Sequence, residues 1–209
     1  MNVTKYEHAC FSVEKDDRVI VVDPGLFTTD FIAPSDVVAI VITHEHGDHF
    51  DPELISAIID KSPEAVIIGD ASITNQIDAF ETRPVSAGDT LEVGPFHLEF
   101  FGGQHATIHD SMPTPPNLGV MIDELLYYPG DSFYIPEDHS IDTLALPVAA
   151  PWLKISEAMD FLTTVHPRIA FPTHDAILSS IGQDLVDRMI GGAAAKNDIV
   201  YTREASITV

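Results

Sequence analysis

The stretch Thr43-His44-Glu45-His46-Gly47-Asp48-His49 sets three imidazoles and a carboxylate within six positions, in a chain with 10 histidines among 209 residues. Neutral imidazoles and carboxylates are the donors that zinc and its first-row neighbours prefer. A single loop histidine is ordinarily solvated and inert, but this density reads as a metal site. Alternation along the loop sends His44, His46 and Asp48 in related directions while His49 turns elsewhere, so one loop can feed two adjacent metals.

Other candidates lie far along the chain, each after an apolar run that reads as a strand. His105 follows Phe96 to Phe101 and the pair Gly102-Gly103, whose missing side chains let backbone approach a site closely. It is a candidate third imidazole, since three protein ligands and an open position make a catalytic zinc site. Asp131, in Pro129-Gly130-Asp131-Ser132, would alone be an ordinary turn residue. After an apolar strand it becomes a carboxylate able to bridge two metals through its two oxygens. His174, in Pro172-Thr173-His174-Asp175, is the last ligand candidate.

Further residues carry two readings. Asp23 either orients a ligand imidazole from behind or forms a turn before Pro24. His109 either touches substrate from a loop or sits in water. Lys154 either meets an anionic substrate group or is a solvated lysine. Trp152, the only tryptophan, reads as a packing residue ahead of a substrate platform. His8 interrupts a strand pattern and reads as a satisfied structural histidine.

Periodicity supplies the elements that must position these groups. Val3 to Tyr6, Ala9 to Val13, Arg18 to Val22 and Val37 to Ile42 read as strands, the last leading into the histidine loop. Asp51-Pro52-Glu53 then reads as an N-cap, a proline at the first helical position and an acid in the first turn, opening a helix through Ile59. Val66 to Ile68 is a buried strand, and Asp70 caps a helix predicted to reach Ala79. Strands follow at Thr90 to Val93, Phe96 to Phe101, Gly119 to Ile122, Leu125 to Tyr128 and Thr143 to Leu146. Ser156 caps a helix through Val165, and Ile169 to Phe171 is a strand. A helix from Leu178 to Ile190 stops at Gly191-Gly192, and Ile199 to Tyr201 closes the series. The proline-rich segment Ala106 to Asn117 is a loop and a candidate cleft wall. Strands fall in two batches, each with helices behind it, and no linker divides them. Residues 1–209 are therefore expected to form a single α/β domain, a four-layer α/β/β/α sandwich.

Composition narrows the class. Hydrophobic residues are 45% of the chain, which excludes disorder, and no run has the length of a membrane span. The formal net charge of -23 repels nucleic acid and anionic membranes. A single cysteine, Cys10, permits no internal disulfide and fits the cytoplasm. A small molecule is the expected partner, and oligomeric state is open.

Taken in order and spacing, the H-x-H-x-D-H loop, Gly-Gly-Gln-His, Pro-Gly-Asp-Ser and Pro-Thr-His resemble the metallo-β-lactamase fold superfamily over nearly the whole chain. Pro151-Trp152-Leu153-Lys154 and His174-Asp175 are most similar to small bacterial metal-dependent hydrolases related to ascorbate-6-phosphate lactonase. The resemblance implies one metal on His44, His46 and His105 and a second on Asp48, His49 and His174, with Asp131 between them. It implies a metal-bridging hydroxide as nucleophile, with Asp48 aiming it. Departures from other branches narrow this further. Asp131 disfavours antibiotic hydrolysis, since the antibiotic-hydrolysing branch generally lacks it. There is no room for the helical glutathione domain of the glyoxalase II branch. The basic surfaces of the RNA-processing branch are absent. His46 stands where the oxygen-reducing diiron branch typically has Glu.

The expectation is thus a dinuclear metallo-hydrolase of a small ester, lactone or phosphodiester, with Asp48 and Asp131 catalytic. Two divalent ions are implied, zinc first and manganese or iron as alternatives. The rival readings are a non-catalytic metal-binding or regulatory domain and a non-hydrolytic metalloenzyme of oxygenase type.

Overall fold

The computed structural model describes residues 1–209 and contains two seven-stranded sheets. The first holds β1 (Asn2–Lys5), β2 (Phe11–Lys15), β3 (Arg18–Val22), β4 (Val37–Ile42), β5 (Val66–Gly69), β6 (Thr82–Pro84) and β14 (Ser206–Thr208), in the order β14-β1-β2-β3-β4-β5-β6. The second holds β7 (Thr90–Val93), β8 (Phe96–Gly102), β9 (Leu118–Ile122), β10 (Leu126–Tyr128), β11 (Thr143–Pro147), β12 (Ile169–Thr173) and β13 (Val200–Tyr201), in the order β13-β12-β11-β10-β9-β8-β7. Each sheet begins antiparallel and turns parallel, from β3 through β6 in one and from β10 through β13 in the other.

Strand alternation explains the layering. Ile20, Val22, Ala39 and Val41 point between the sheets, where they meet Phe96, Leu98, Phe100, Val120 and Phe171. Val21, Ile40, Ile42 and Ile67 point outward and are covered by Ile55 and Ile58 of α1 (Pro52–Lys61) and Ile73 of α2 (Ala71–Thr74). On the other flank, Leu144, Leu146 and Ala170 pack under Ala158, Phe161 and Leu162 of α3 (Ile155–Val165) and Val186 and Ile190 of α4 (Ser180–Ala195). The central parallel strands β4, β5, β11 and β12 are buried on both faces, which is why they read as continuous apolar runs. Each buried Ile or Phe contributes about 1.5–3 kcal/mol of transfer free energy. The expected four-layer α/β/β/α sandwich is what forms.

Several element boundaries differ from the sequence expectation. β2 starts at Phe11 rather than Ala9, because a turn closes over Glu7 to Cys10 and holds His8 at φ 57°. The helix expected from Asp70 to Ala79 is a single turn. Asp70 does cap it, accepting from the Ser72 N–H at 2.8 Å, but Ser72, Thr74 and Asn75 are poor helix formers. The cap of α3 is Lys154, not Ser156; the Glu157 carboxylate accepts its N–H at 3.4 Å. α4 runs through Gly191-Gly192 to Ala195, because burial of Ile190 and Ala194 outweighs the glycine penalty. The short edge strands β6 and β14 were not expected. No helix is long and apolar enough to cross a membrane.

The strand directions bring one set of loops to one edge. Loops leaving β3, β4, β8, β10 and β12, and the turn entering β2, all open there. The two sheets are tied at this edge by backbone: Leu118 N–H donates to Thr43 O at 2.9 Å, and His174 N–H donates to His8 O at 3.1 Å.

Candidate metal centre

Backbone geometry sets the histidine loop. After β4, the His49 N–H donates to His46 O at 2.9 Å, closing a turn that breaks the expected alternation. Asp48 therefore sides with His49, not with His44 and His46. The end of β3 packs directly beneath: a Cβ at Gly25 would lie 2.0 Å from Asp48 O, so only glycine lets Pro24-Gly25 pass there. A second clamp holds Asp131. Asn117 Oδ1 accepts the Asp131 N–H at 2.9 Å, Asn117 Nδ2 donates to Pro129 O at 2.9 Å, and Gly130 at φ 61° leaves room for that amide.

Two groups of donor atoms result. One comprises His44, His46, His105 and Asp131; the other comprises His8, Asp48, His49 and His174. His44 Nε2 lies 3.1 Å from His46 Nδ1, and His105 Nε2 lies 3.2 Å from Asp131 Oδ2. In the second group His49 Nε2 and His174 Nε2 are 2.9 Å apart, and Asp48 Oδ2 is 3.4 Å from His174 Nε2. Asp131 spans the groups: its Oδ2 faces His105 while its Oδ1 lies 3.0 Å from His174 Nε2 and 3.3 Å from His49 Nε2.

Four of the imidazoles are fixed from behind in the same sense. His49 Nδ1 bonds Asp23 Oδ2 at 2.6 Å, His174 Nδ1 bonds Ala149 O at 2.8 Å, and His105 Nδ1 bonds Ala106 O. Thr43 Oγ1 donates to Asp23 Oδ2 at 2.7 Å and accepts from His44 Nδ1 at 3.0 Å. Each acceptor fixes the proton on Nδ1, so each Nε2 presents a lone pair to the centre, the arrangement of metal-binding histidines. Asp23 thus sits behind two imidazoles at once.

These atoms fit a metal. His105 Nε2 and Asp131 Oδ1 are buried without any hydrogen-bond partner. A buried orphan acceptor costs about 1–3 kcal/mol, and two converging on one centre call for a cation. The Nε2 atoms of His49 and His174 would likewise oppose lone pair to lone pair at 2.9 Å unless a proton or a metal lies between them.

Electrostatics points the same way. Burial, reinforced by neighbouring His49, pushes the His44 imidazole well below its ordinary value, so it is neutral and free to ligate. Burial would raise Asp131, but His49 and His174 hold it well below the usual carboxylate range. Asp48 is likewise depressed: its burial is outweighed by the His8 hydrogen bond and by His49 and His174. Burial would lower His49, yet Asp131 and Asp23 raise it well above its ordinary value in the metal-free protein.

Two residues that the sequence reads as structural also touch the centre. His8 is fully buried, and its ring orientation is opposite to the others. Its Nδ1 accepts the Ala176 N–H at 3.3 Å, so neutral His8 carries its proton on Nε2, which donates to Asp48 Oδ2 at 3.1 Å. The available signal was its place at the end of β1, on the ligand-bearing edge. Trp152 donates from Nε1 to Asp131 Oδ2 at 2.8 Å, so it packs and also braces a carboxylate. By contrast, His109 is exposed and paired with Ser111 at 2.8 Å, and Lys154 is exposed at the helix cap; neither lines the cleft.

The cleft over the donors measures about 470 Å³ and is walled by Phe27, Ile108, Pro151, Trp152 and Ile177. With this geometry, the comparison with known proteins is direct. The sequence profile of the β-lactamase superfamily domain matches residues 2–174. This chain belongs to that superfamily. Protein Rv0786c of Mycobacterium tuberculosis is 34% identical over 184 residues, covering 86% of each chain. A UPF0173 metal-dependent hydrolase of Archaeoglobus fulgidus is 28% identical over 193 residues, covering 83% of each. Among solved structures, Igni18, a metallo hydrolase from Ignicoccus hospitalis, superposes with a TM-score of 0.75 at 19% identity, covering 100% of this chain and 98% of its own. In all three comparisons the shared region spans most of both chains.

Proposed function

We propose that this chain is a metal-dependent hydrolase of a small ester, lactone or phosphodiester. The observation that carries the reading is the pair of buried, unpartnered acceptors, His105 Nε2 and Asp131 Oδ1, at the meeting point of two four-residue donor groups. The superfamily relatives named for metal-dependent hydrolysis support it. His44, His46 and His105 would hold one divalent ion, Asp48, His49 and His174 the other, and Asp131 would reach both. Mixed imidazole and carboxylate donors suit zinc, with manganese or iron able to use the same atoms. A bound divalent pair supplies a water ionised near neutral pH and a Lewis acid for the developing oxyanion.

The protein's own groups do the rest. Asp48 is half-buried at the cleft floor, one oxygen held by His8, and is placed to accept a proton from an attacking water. Trp152 and the Asn117 clamp keep Asp131 from swinging into the cleft. The apolar walls exclude bulk water from the reacting bond. A small-molecule substrate fits a cleft of this size.

The test is elemental analysis of the purified protein, followed by a hydrolysis screen on lactones, esters and phosphodiesters. His46→Ala, a half-exposed ligand, is expected to lose turnover while keeping the fold. Two metals per chain and loss of turnover in that variant are expected; turnover that survives it would refute the proposal.

A further inference from the structure

The walls of the cleft say more about the substrate than its floor does. Eleven residues line it: the charged ones are only Asp48 and Asp131, both in the donor groups, and none is Lys or Arg. Lys154 is exposed and outside the lining, and the cations beside His174 are already engaged. Asp175, beside His174, takes Lys5 at 3.4 Å and also Arg203, which turns its other face to Asp187. The rim is apolar. Phe27 and Ile177 line the cleft while 43% and 49% exposed, and Leu26, 60% exposed, lies over Gly47. Large apolar side chains left open around a concave site are the mark of an apolar ligand. A net charge of -23 adds a long-range field that repels anions.

Building on the hydrolase reading, we propose that the substrate is a neutral ester or lactone whose acyl group carries an apolar chain, and that a charged tail is rejected. The positive charge of bound metal is confined to the floor, where the reacting carbonyl must sit. A chain extending from it meets Phe27, Ile108, Trp152 and Ile177, and a second carboxylate or phosphate there finds no cation and loses hydration. In the reaction the oxygen of water bonds to the acyl carbon, the C–O bond to the alcohol breaks, and the proton passes to the departing alkoxide. Ester plus water gives acid plus alcohol.

The experiment compares phenyl acetate, phenyl butyrate, phenyl hexanoate and the monophenyl ester of adipic acid on the metal-loaded protein, with a bis-aryl phosphate alongside. kcat/KM is expected to rise by up to about fourfold per methylene along the neutral series. The adipate ester, equal in reach to the hexanoate but charged at its tip, is expected about tenfold or more below it. Ile177→Lys is expected to narrow or invert that ratio with metal content unchanged. Binding gives a readout independent of turnover. Trp152 is the sole tryptophan and lines the cleft, so its fluorescence reports occupancy. Hexanoate should bind more tightly than adipate.

An adipate ester turned over as fast as the hexanoate, or a flat chain-length series, overturns the substrate class and leaves hydrolysis standing. So does turnover of the phosphodiester alone. If neither this panel nor the lactone screen shows turnover, the hydrolase reading fails, and the Trp152 titration decides the apolar cleft by itself. Adipate binding as well as hexanoate would overturn it.

Discussion

The two donor groups are built from similar residues but differ in kind. In the group of His44, His46, His105 and Asp131, His44 and His105 each turn a lone pair to the centre, with the proton held behind on Nδ1. In the group of His8, Asp48, His49 and His174, one imidazole faces inward with a proton. His8 has its Nδ1 occupied by the Ala176 N–H, so its Nε2 can only donate, and it spends that proton on Asp48. Four histidine and carboxylate side chains in a cluster therefore do not make four ligands. The group behind each ring, backbone or side chain, decides which nitrogen is left for a metal.

Substitutions can break this contrast in graded steps. Asp131 is the one side chain that reaches both groups, so Asp131→Ala should have the largest effect: both metals lost and turnover reduced to background, read by elemental analysis and rate together. Asp23 stands behind His49 directly and behind His44 through Thr43. Asp23→Ala should weaken metal binding by about 10- to 100-fold, as loss of an orienting partner does elsewhere. The loss should fall mainly on the metal nearest His49, seen as stepwise binding by calorimetry. A variant that loads both metals normally would mean that the hydrogen bond to His49 is incidental.

His8→Gln separates the two roles open to a buried imidazole. As the holder of Asp48, its replacement should cost about tenfold in affinity at one metal and leave the other unchanged. If His8 were instead a true ligand, that metal would be absent altogether. Cobalt substitution and its visible spectrum would show which.

The smallest effect concerns protons. In the metal-free protein His49 is raised well above 6.5 by Asp131 and Asp23. That contribution to stability is present below 6.5 and is lost as pH climbs through the raised value. Metal-free melting temperature should accordingly fall into the alkaline range. Metal uptake at neutral pH should release a proton from His49, measurable by calorimetry in buffers of different ionisation enthalpy. A melting curve independent of alkaline pH would contradict the charged His49.

What could be read in the sequence follows the same contrast. Ligands packed in one loop, from His44 to His49, betray themselves by density. His105, Asp131 and His174 are legible because each ends an apolar run, and strand ends are where a sheet edge gathers side chains. His8 was not, because its meaning depends on the Ala176 amide, 168 positions away. Trp152 reads as apolar bulk, and nothing local shows its indole N–H aimed at Asp131. Among the elements, the double-sided burial of β4 and β11 made both sheets visible. β14 was not visible, because it exists only through its pairing with β1 at the opposite end of the chain. His109 and Lys154 show the converse: polar residues near strong motifs, yet turned to solvent.

Gly25 carries a last consequence. It touches no substrate and binds nothing, yet a methyl group there would collide with the Asp48 and His49 backbone. In a genetic screen, a missense allele at this codon would score as a null indistinguishable from deletion of the histidine loop, although every ligand is still encoded. Libraries that aim to retune the enzyme should randomise the rim at Phe27 and Ile177 and hold this position fixed.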